Sequence, residues 1–150
     1  MQKKILVTLD GSALSEQALP HAVRYARLES AQLLLMRAVE PLAKSNRPGS
    51  ASVGVIESAE RQLKEIVQDY LDVQSARLRE QGLQVSTHLK AGNPSQEILK
   101  LIEAEQVDLI VMATRGVTGV SRWLLGSVTD HIVRASSVPV LVIPCGDHCN

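Results

Sequence analysis

Four short stretches of this chain, KKILVTLD, AQLLLMRAVE, VDLIVMA and VPVLVIP, each hold apolar residues at several successive positions rather than at every second one. A strand with one wet face alternates; a strand covered on both faces does not. Between these runs the apolar residues fall at steps of three and four, the period of a helix with one buried side. Strands alternating with such helices specify a parallel sheet with helices on both faces. The crossovers should be right-handed.

The order of elements can be read along the chain. Lys4 to Leu9 forms a first strand, stopped by the turn signal Asp10-Gly11. Ser12 caps the helix that follows, in which Ala18, Leu19, Ala22, Val23 and Ala26 repeat with helical spacing. AQLLLMRAVE is the second strand. From Pro41 to Gly54 the residues turn to Pro, Ser, Asn and Gly, the composition of a mobile loop. A long helix then carries Ile56, Ala59, Leu63, Ile66, Val67, Tyr70 and Leu78, and Gly82 closes it. LQVSTHL alternates and reads as a third strand. Pro94 suits the first turn of another helix, with Ile98, Leu101 and Ile102 inward. VDLIVMA is the fourth strand, VPVLVIP the fifth, and residues 144–150 a polar tail. No repeat or linker divides the 150 residues, so one domain, 1–150, is expected.

Composition removes several classes of function. Aromatic residues are nearly absent, with no Phe, one Trp and two Tyr, so the core is aliphatic and no stacking platform for single-stranded nucleic acid exists. Sixteen basic residues balance sixteen acidic ones, which gives no pull toward a polyanion. No apolar run reaches the length of a membrane span, and the N-terminal apolar stretch is too short for a signal peptide. A cytoplasmic protein is the expectation. Cys145, His148 and Cys149 lie together near the C-terminus but are too few for a closed zinc site; a frayed tail is the plainer reading, and no metal site is assigned.

Two pieces stand at strand ends where open parallel sheets bind ligands. One is Asp10. The other is ATRGVTGVSRWLLGS, Ala113 to Ser127, much longer than a connection needs to be. Its glycines let backbone N–H groups approach a ligand closely. Gly126-Ser127 stands at the mouth of the helix SVTDHIVRA, an end with unpaired donors and partial positive charge. The plainer alternatives are that Gly116 and Gly119 make turns, Ser127 caps a helix, and Asp10 bonds its own backbone. Arg115 and Arg122 can pair with phosphate or simply be solvated. Neither the lysine-containing P-loop nor the dinucleotide fingerprint is present.

These residues resemble the universal stress protein family. The resemblance runs through ILVTLDGSALSEQAL, LLLMRAVEP and AGNPSQEIL, and is strongest over VDLIVMATRGVTGVSRWLLGSVTDHIVRASSVPVLVIP. It implies an α/β, Rossmann-like domain (adenine nucleotide alpha hydrolase-like) with an open, twisted, parallel five-stranded sheet in the order 3-2-1-4-5. Asp10 and the glycine loop would then face each other across one cleft. The ATP-binding branch of the family carries Gly, two residues, Gly, nine residues, Gly, then Ser or Thr. Here Gly116, nine residues, Gly126 and Ser127 keep that pattern, while Ala113 stands in place of the first glycine. A methyl group there can crowd the ribose or phosphate, or force a different backbone angle; with the rest of the loop intact, binding is expected to survive. Thr8, where Pro or Ala is common, and Arg115, where His is frequent, are further departures.

Carried over position by position, Asp10 resembles the family's acidic contact near the nucleoside. Leu9 and Ala38 would offer backbone atoms to adenine, and Met112 and Ala113 would lie along the nucleoside. Gly116, Val117, Gly126, Ser127, Val128 and Thr129 would surround the phosphates, with Thr114, Arg115 and Thr118 completing the ATP-binding set. Mg or Mn would ride on the phosphates. The resemblance also implies a homodimer through the fifth strand, Val138 to Ile143, an apolar edge hazardous if left bare; its plainer reading is an ordinary strand covered by the tail.

The leading expectation is therefore a stress-response regulatory or signalling protein that binds ATP and answers to an unidentified protein partner. A slow ATPase or phosphotransferase is the second: no catalytic residue is assigned, since Asp10 would be occupied with nucleoside and His131 reads as an exposed helix residue. A nucleotide-free interaction module is the third, favoured by Ala113.

Overall fold

The structure, a computed structural model, describes residues 1–42, 49, 51–115 and 125–145, with Arg115 described by its backbone alone. Five strands alternate with helices: β1 (Lys4–Thr8), α1 (Ala13–Glu16), α2 (Ala18–Glu29), β2 (Gln32–Val39), α3 (Val53–Glu80), β3 (Val85–Ala91), α4 (Pro94–Glu105), β4 (Leu109–Arg115), α5 (Ser127–Ala135) and β5 (Val140–Cys145). The strands form one parallel sheet in the order β3-β2-β1-β4-β5. The expected topology and the expected helices on both faces are both present. Among the described residues no helix is long and apolar enough to cross a membrane.

The continuous apolar runs are explained by the two layers they feed. Ile5, Val7 and Leu9 of the first strand and Leu33 and Leu35 of the second pack with Ala18, Ala22 and Ala26 of α2 and Val67, Leu71 and Leu78 of α3. Leu6, Leu34 and Met36 point the other way, against Ile98, Leu101 and Ile102 of α4 and Ile132 of α5. Each such fully buried aliphatic side chain contributes about 1.5–3 kcal/mol. The alanine row on α2 lets that helix lie close to the sheet, since a methyl group is all that separates them.

Several boundaries differ from the sequence reading, each for a local reason. The helix expected after Ser12 is two helices, α1 and α2. Pro20, in the first turn of α2, has no N–H to give the Glu16 carbonyl and its ring crowds that carbonyl. The loop expected over Pro41–Gly54 ends earlier, because the Ser52 hydroxyl accepts the Val55 N–H at 3.4 Å and caps α3; residues 43–48 and 50 lie outside the described residues. The third strand starts at Val85 rather than Leu83. Gly82 takes a φ of +82° and the Leu83 N–H turns back to the Leu78 carbonyl at 3.3 Å, which assigns Leu83 to the cap of α3. β5 runs through Pro144 to Cys145, paired in register with Thr114 and Arg115. Proline is tolerated because this is an edge strand. Cys145 is therefore 2% exposed, not part of a frayed tail; residues 146–150, including His148 and Cys149, lie outside the described residues.

Candidate functional site

The first and fourth strands are neighbours, with Ile5, Leu6 and Val7 in register with Leu109, Ile110 and Val111. β1 leads away to β2 on one side and β4 to β5 on the other, so the winding direction reverses between them. A cleft opens beyond the carboxyl ends of strands at such a point. Here it is a cavity of about 330 Å³.

Of the residues expected in the site, Leu9, Asp10, Ala38, Met112, Ala113, Thr114, Gly126, Ser127, Val128 and Thr129 all line this one cavity. Arg115 ends β4 at its rim, and Gly116, Val117 and Thr118 lie outside the described residues. Thr8, Leu14, Ser15, Met36, Pro94 and Ile98 also line it. Of these, Met36 was readable: it sits two residues before Ala38, and alternate residues of a strand share a face. Pro94 and Ile98 open α4, which the sequence located without assigning it to the cleft.

One lip is the turn after β1. The Asp10 Oδ1 accepts the Ser12 N–H at 2.8 Å and also the Ser12 hydroxyl, so Asp10 does bond its own backbone turn while lining the cavity. The Ser12 hydroxyl in turn accepts the Ser15 N–H at 3.1 Å and caps α1. The Ser15 hydroxyl accepts the Asp10 N–H at 3.2 Å and donates to the Ser12 carbonyl at 2.9 Å. Partial burial pushes the Asp10 carboxyl up. The hydrogen bonds from Ser12, the nearby Ser15 hydroxyl and the Arg37 guanidinium outweigh that and hold it below its ordinary value. Asp10 is thus ionised at neutral pH, and Oδ2 has no hydrogen-bond partner among the described residues.

Behind this lip, Glu16 of α1 receives two donors on one oxygen, the Tyr70 hydroxyl at 2.8 Å and the Gln74 amide at 2.9 Å. Burial, and then the Glu16 carboxylate, push the Tyr70 phenol far above its usual value, so it stays a donor. α3 is thereby tied to α1.

The opposite lip is the start of α5. Its cap residue is Gly126, which offers no side chain to the first turn. The N–H groups of Ser127, Val128 and Thr129 have no hydrogen-bond partner among the described residues. Among the described residues one hydrogen bond ties this lip to the sheet: the Gly126 N–H donates to the hydroxyl of Thr114, itself 6% exposed, at 3.3 Å. Gly126 has an ordinary φ of −57°, and a Cβ built there would meet only the Thr114 hydroxyl, at 3.9 Å, among the described residues. Among the described residues, neither backbone conformation nor packing therefore calls for glycine at this place. Asp130 in the first turn is engaged by Arg134 at 3.1 Å.

Between the lips the wall is apolar, built from Met36 and Ala38 of β2, Met112 of β4 and Ile98 of α4. Ala113 is extended backbone, since Ser30 and Gln106 are the described non-glycine residues with positive φ. It packs against the core layer of α2 and α3, on the face opposite Met112. The backbone angle feared for an alanine at this position is thus not required. Asp10 is the one titratable residue lining the cavity among the described residues. His131 is exposed on α5.

Comparison with known proteins agrees with this geometry. The profile of the universal stress protein family matches residues 1–144. A universal stress protein of Methanocaldococcus jannaschii is 34% identical over 143 residues, which span 95% of this chain and 82% of the relative. Universal stress protein UspA from Lactobacillus plantarum has the same fold, with a TM-score of 0.79 at 23% identity over 94% of this chain and 97% of that one. Another universal stress protein, solved in complex with cAMP, gives a TM-score of 0.70 at 22% identity over 95% of this chain and 97% of its own. The chain is a member of the universal stress protein family.

Proposed function

We propose that the cleft binds an adenine nucleotide, ATP in the first place, and that the protein acts as a cytoplasmic stress-response regulator whose partner contacts depend on that ligand. The observation that carries the reading is the uncapped mouth of α5. Unpaired N–H donors at a helix N-terminus, beside a glycine that none of the described residues requires, suit a phosphate group. The rest of the cavity supplies what a nucleoside needs. The apolar wall of Met36, Ala38, Ile98 and Met112 takes the flat base, and the free Asp10 oxygen accepts from the ribose hydroxyls. Gly116, Val117 and Thr118 complete the phosphate cradle in this reading. The family neighbour solved with cAMP supports an adenine nucleotide in this fold.

The donor set fits a divalent ion only as a passenger. Asp10 is a single carboxylate, so Mg or Mn would be held by phosphate oxygens and water. Binding rather than turnover is the reading, because the one ionisable lining residue among those described is already engaged by Ser12. The β5 edge, whose Val140 to Ile143 are apolar and only half-buried, is the dimer contact in this account.

Calorimetric titration with Mg-ATP tests the proposal. Saturable heat that disappears in Asp10→Ala supports it. No heat with ATP, ADP, AMP or cAMP on folded protein would overturn it in favour of a nucleotide-free module.

A further inference from the structure

On β2, Met36 and Ala38 face the cleft, so Arg37 between them faces the other way, onto the layer that buries Leu33, Leu35 and Val39. A guanidinium on an apolar face needs compensation. No hydrogen bond or ion pair engages Arg37 among the described residues. Two groups lie close to it instead. Its Cζ lies 5.3 Å from the centre of the Tyr70 ring, a cation–π distance. Gly11 also lies against it, so close that a Cβ there would sit 2.6 Å from Nη1, 2.9 Å from Cζ and 3.1 Å from Nη2. All three atoms are at similar reach, so the flat guanidinium lies against the Gly11 backbone. Gly11 itself takes a φ of +86°, at the heart of the Asp10–Ser12 turn.

We propose that Arg37 is a positioning residue for the cleft: in contact with both the Tyr70 ring and Gly11, it holds the turn that presents the Asp10 carboxylate to the ligand. The ligand half of this rests on the nucleotide reading above; the turn-holding half does not. Tyr70 then braces the lip twice, through its ring to Arg37 and through its hydroxyl to Glu16. The electrostatics agree in sign, since Arg37 is among the groups that keep Asp10 ionised.

Arg37→Met keeps the stem and removes the charged plane; Tyr70→Leu removes the ring. Amide exchange without ligand is read at Ser12, whose N–H is held by Asp10. Both variants should exchange about tenfold faster there, with α4 unchanged, and Arg37→Lys should recover part of the protection. Affinities for adenosine and for 2′,3′-dideoxyadenosine are then compared. Arg37→Met should weaken adenosine about tenfold and the dideoxy compound far less, because only the hydroxyls are read by Asp10. Unchanged Ser12 exchange in both variants overturns the proposal. So does an equal loss for the two nucleosides, or a loss that grows from adenosine to ATP, which would place Arg37 on phosphate instead. If the unaltered protein binds neither nucleoside, the nucleotide reading fails and the exchange result alone decides the role of Arg37.

Discussion

The two lips of the cleft are built on opposite plans. The Asp10 lip is cross-braced: Asp10, Ser12 and Ser15 bond one another, Glu16 gathers Tyr70 and Gln74, and Arg37 lies under Gly11. Among the described residues the α5 lip has one bond to the sheet, from Gly126 to Thr114, and its first-turn donors are open. A braced lip suits neutral hydroxyls, whose recognition depends on fixed geometry. An open lip suits a phosphate, for which the unpaired donors are the attraction. Stability and binding should therefore respond differently to damage on the two sides.

The largest effect is expected from Gly11→Val. The side chain would adopt an unfavourable positive φ and collide with Arg37. We expect a loss of about 2–4 kcal/mol in denaturant unfolding, with ligand binding lost too. A change under about 0.5 kcal/mol would mean that the lip is not braced.

The matching change on the other lip, Gly126→Val, should invert the pattern. Stability stays within about 1 kcal/mol of the parent, because φ is ordinary and nothing described crowds an added Cβ. Nucleotide affinity falls about tenfold or more, because the branched side chain fills space beside the open donors. Equal losses of stability for the two glycine variants would erase the contrast.

Thr114→Val tests the hydrogen bond between Gly126 and Thr114. Its removal leaves the Gly126 N–H without its acceptor and should cost about 1 kcal/mol, with a smaller loss of affinity than Gly126→Val. Unchanged unfolding would show that the bond carries nothing.

The smallest effect is the pH dependence of the braced lip. Asp10 is held below its ordinary value of 3.8, so the fold favours its ionised form. That contribution is complete above the ordinary value and is lost as pH falls through the depressed one. Asp10→Asn should be less stable than the parent at neutral pH, and the gap should narrow below about pH 4. The gap is small because Asp10 is exposed. Melting curves at both pH values check the sign; a gap that widens in acid would contradict it.

The sheet was legible because unbroken apolar runs have one economical explanation, burial on two faces. Most of the cleft was legible too, since Asp10 and Met112 to Thr114 follow directly from strands whose ends can be located. The break between α1 and α2 was missed, although Pro20 marks it, because Ala18, Ala22 and Ala26 keep the helical period through Pro20 itself. The bracing of the Asp10 lip was beyond reach. Glu16, Arg37 and Tyr70 are far apart in sequence, and nothing in local pattern says that a glycine turn and a strand arginine will touch. Cys145 was misplaced because composition near a terminus says nothing about strand pairing, which here continues to the last residue of β5.

A core without phenylalanine has an optical consequence. Tyr70 belongs to the braced lip, Tyr25 stands on the surface of α2, and Trp123 falls three residues before Gly126 in sequence. The aliphatic interior contributes no fluorophore of its own. Emission from Tyr70 thus reports on the braced lip of the cleft, and changes there can be followed without attaching a dye.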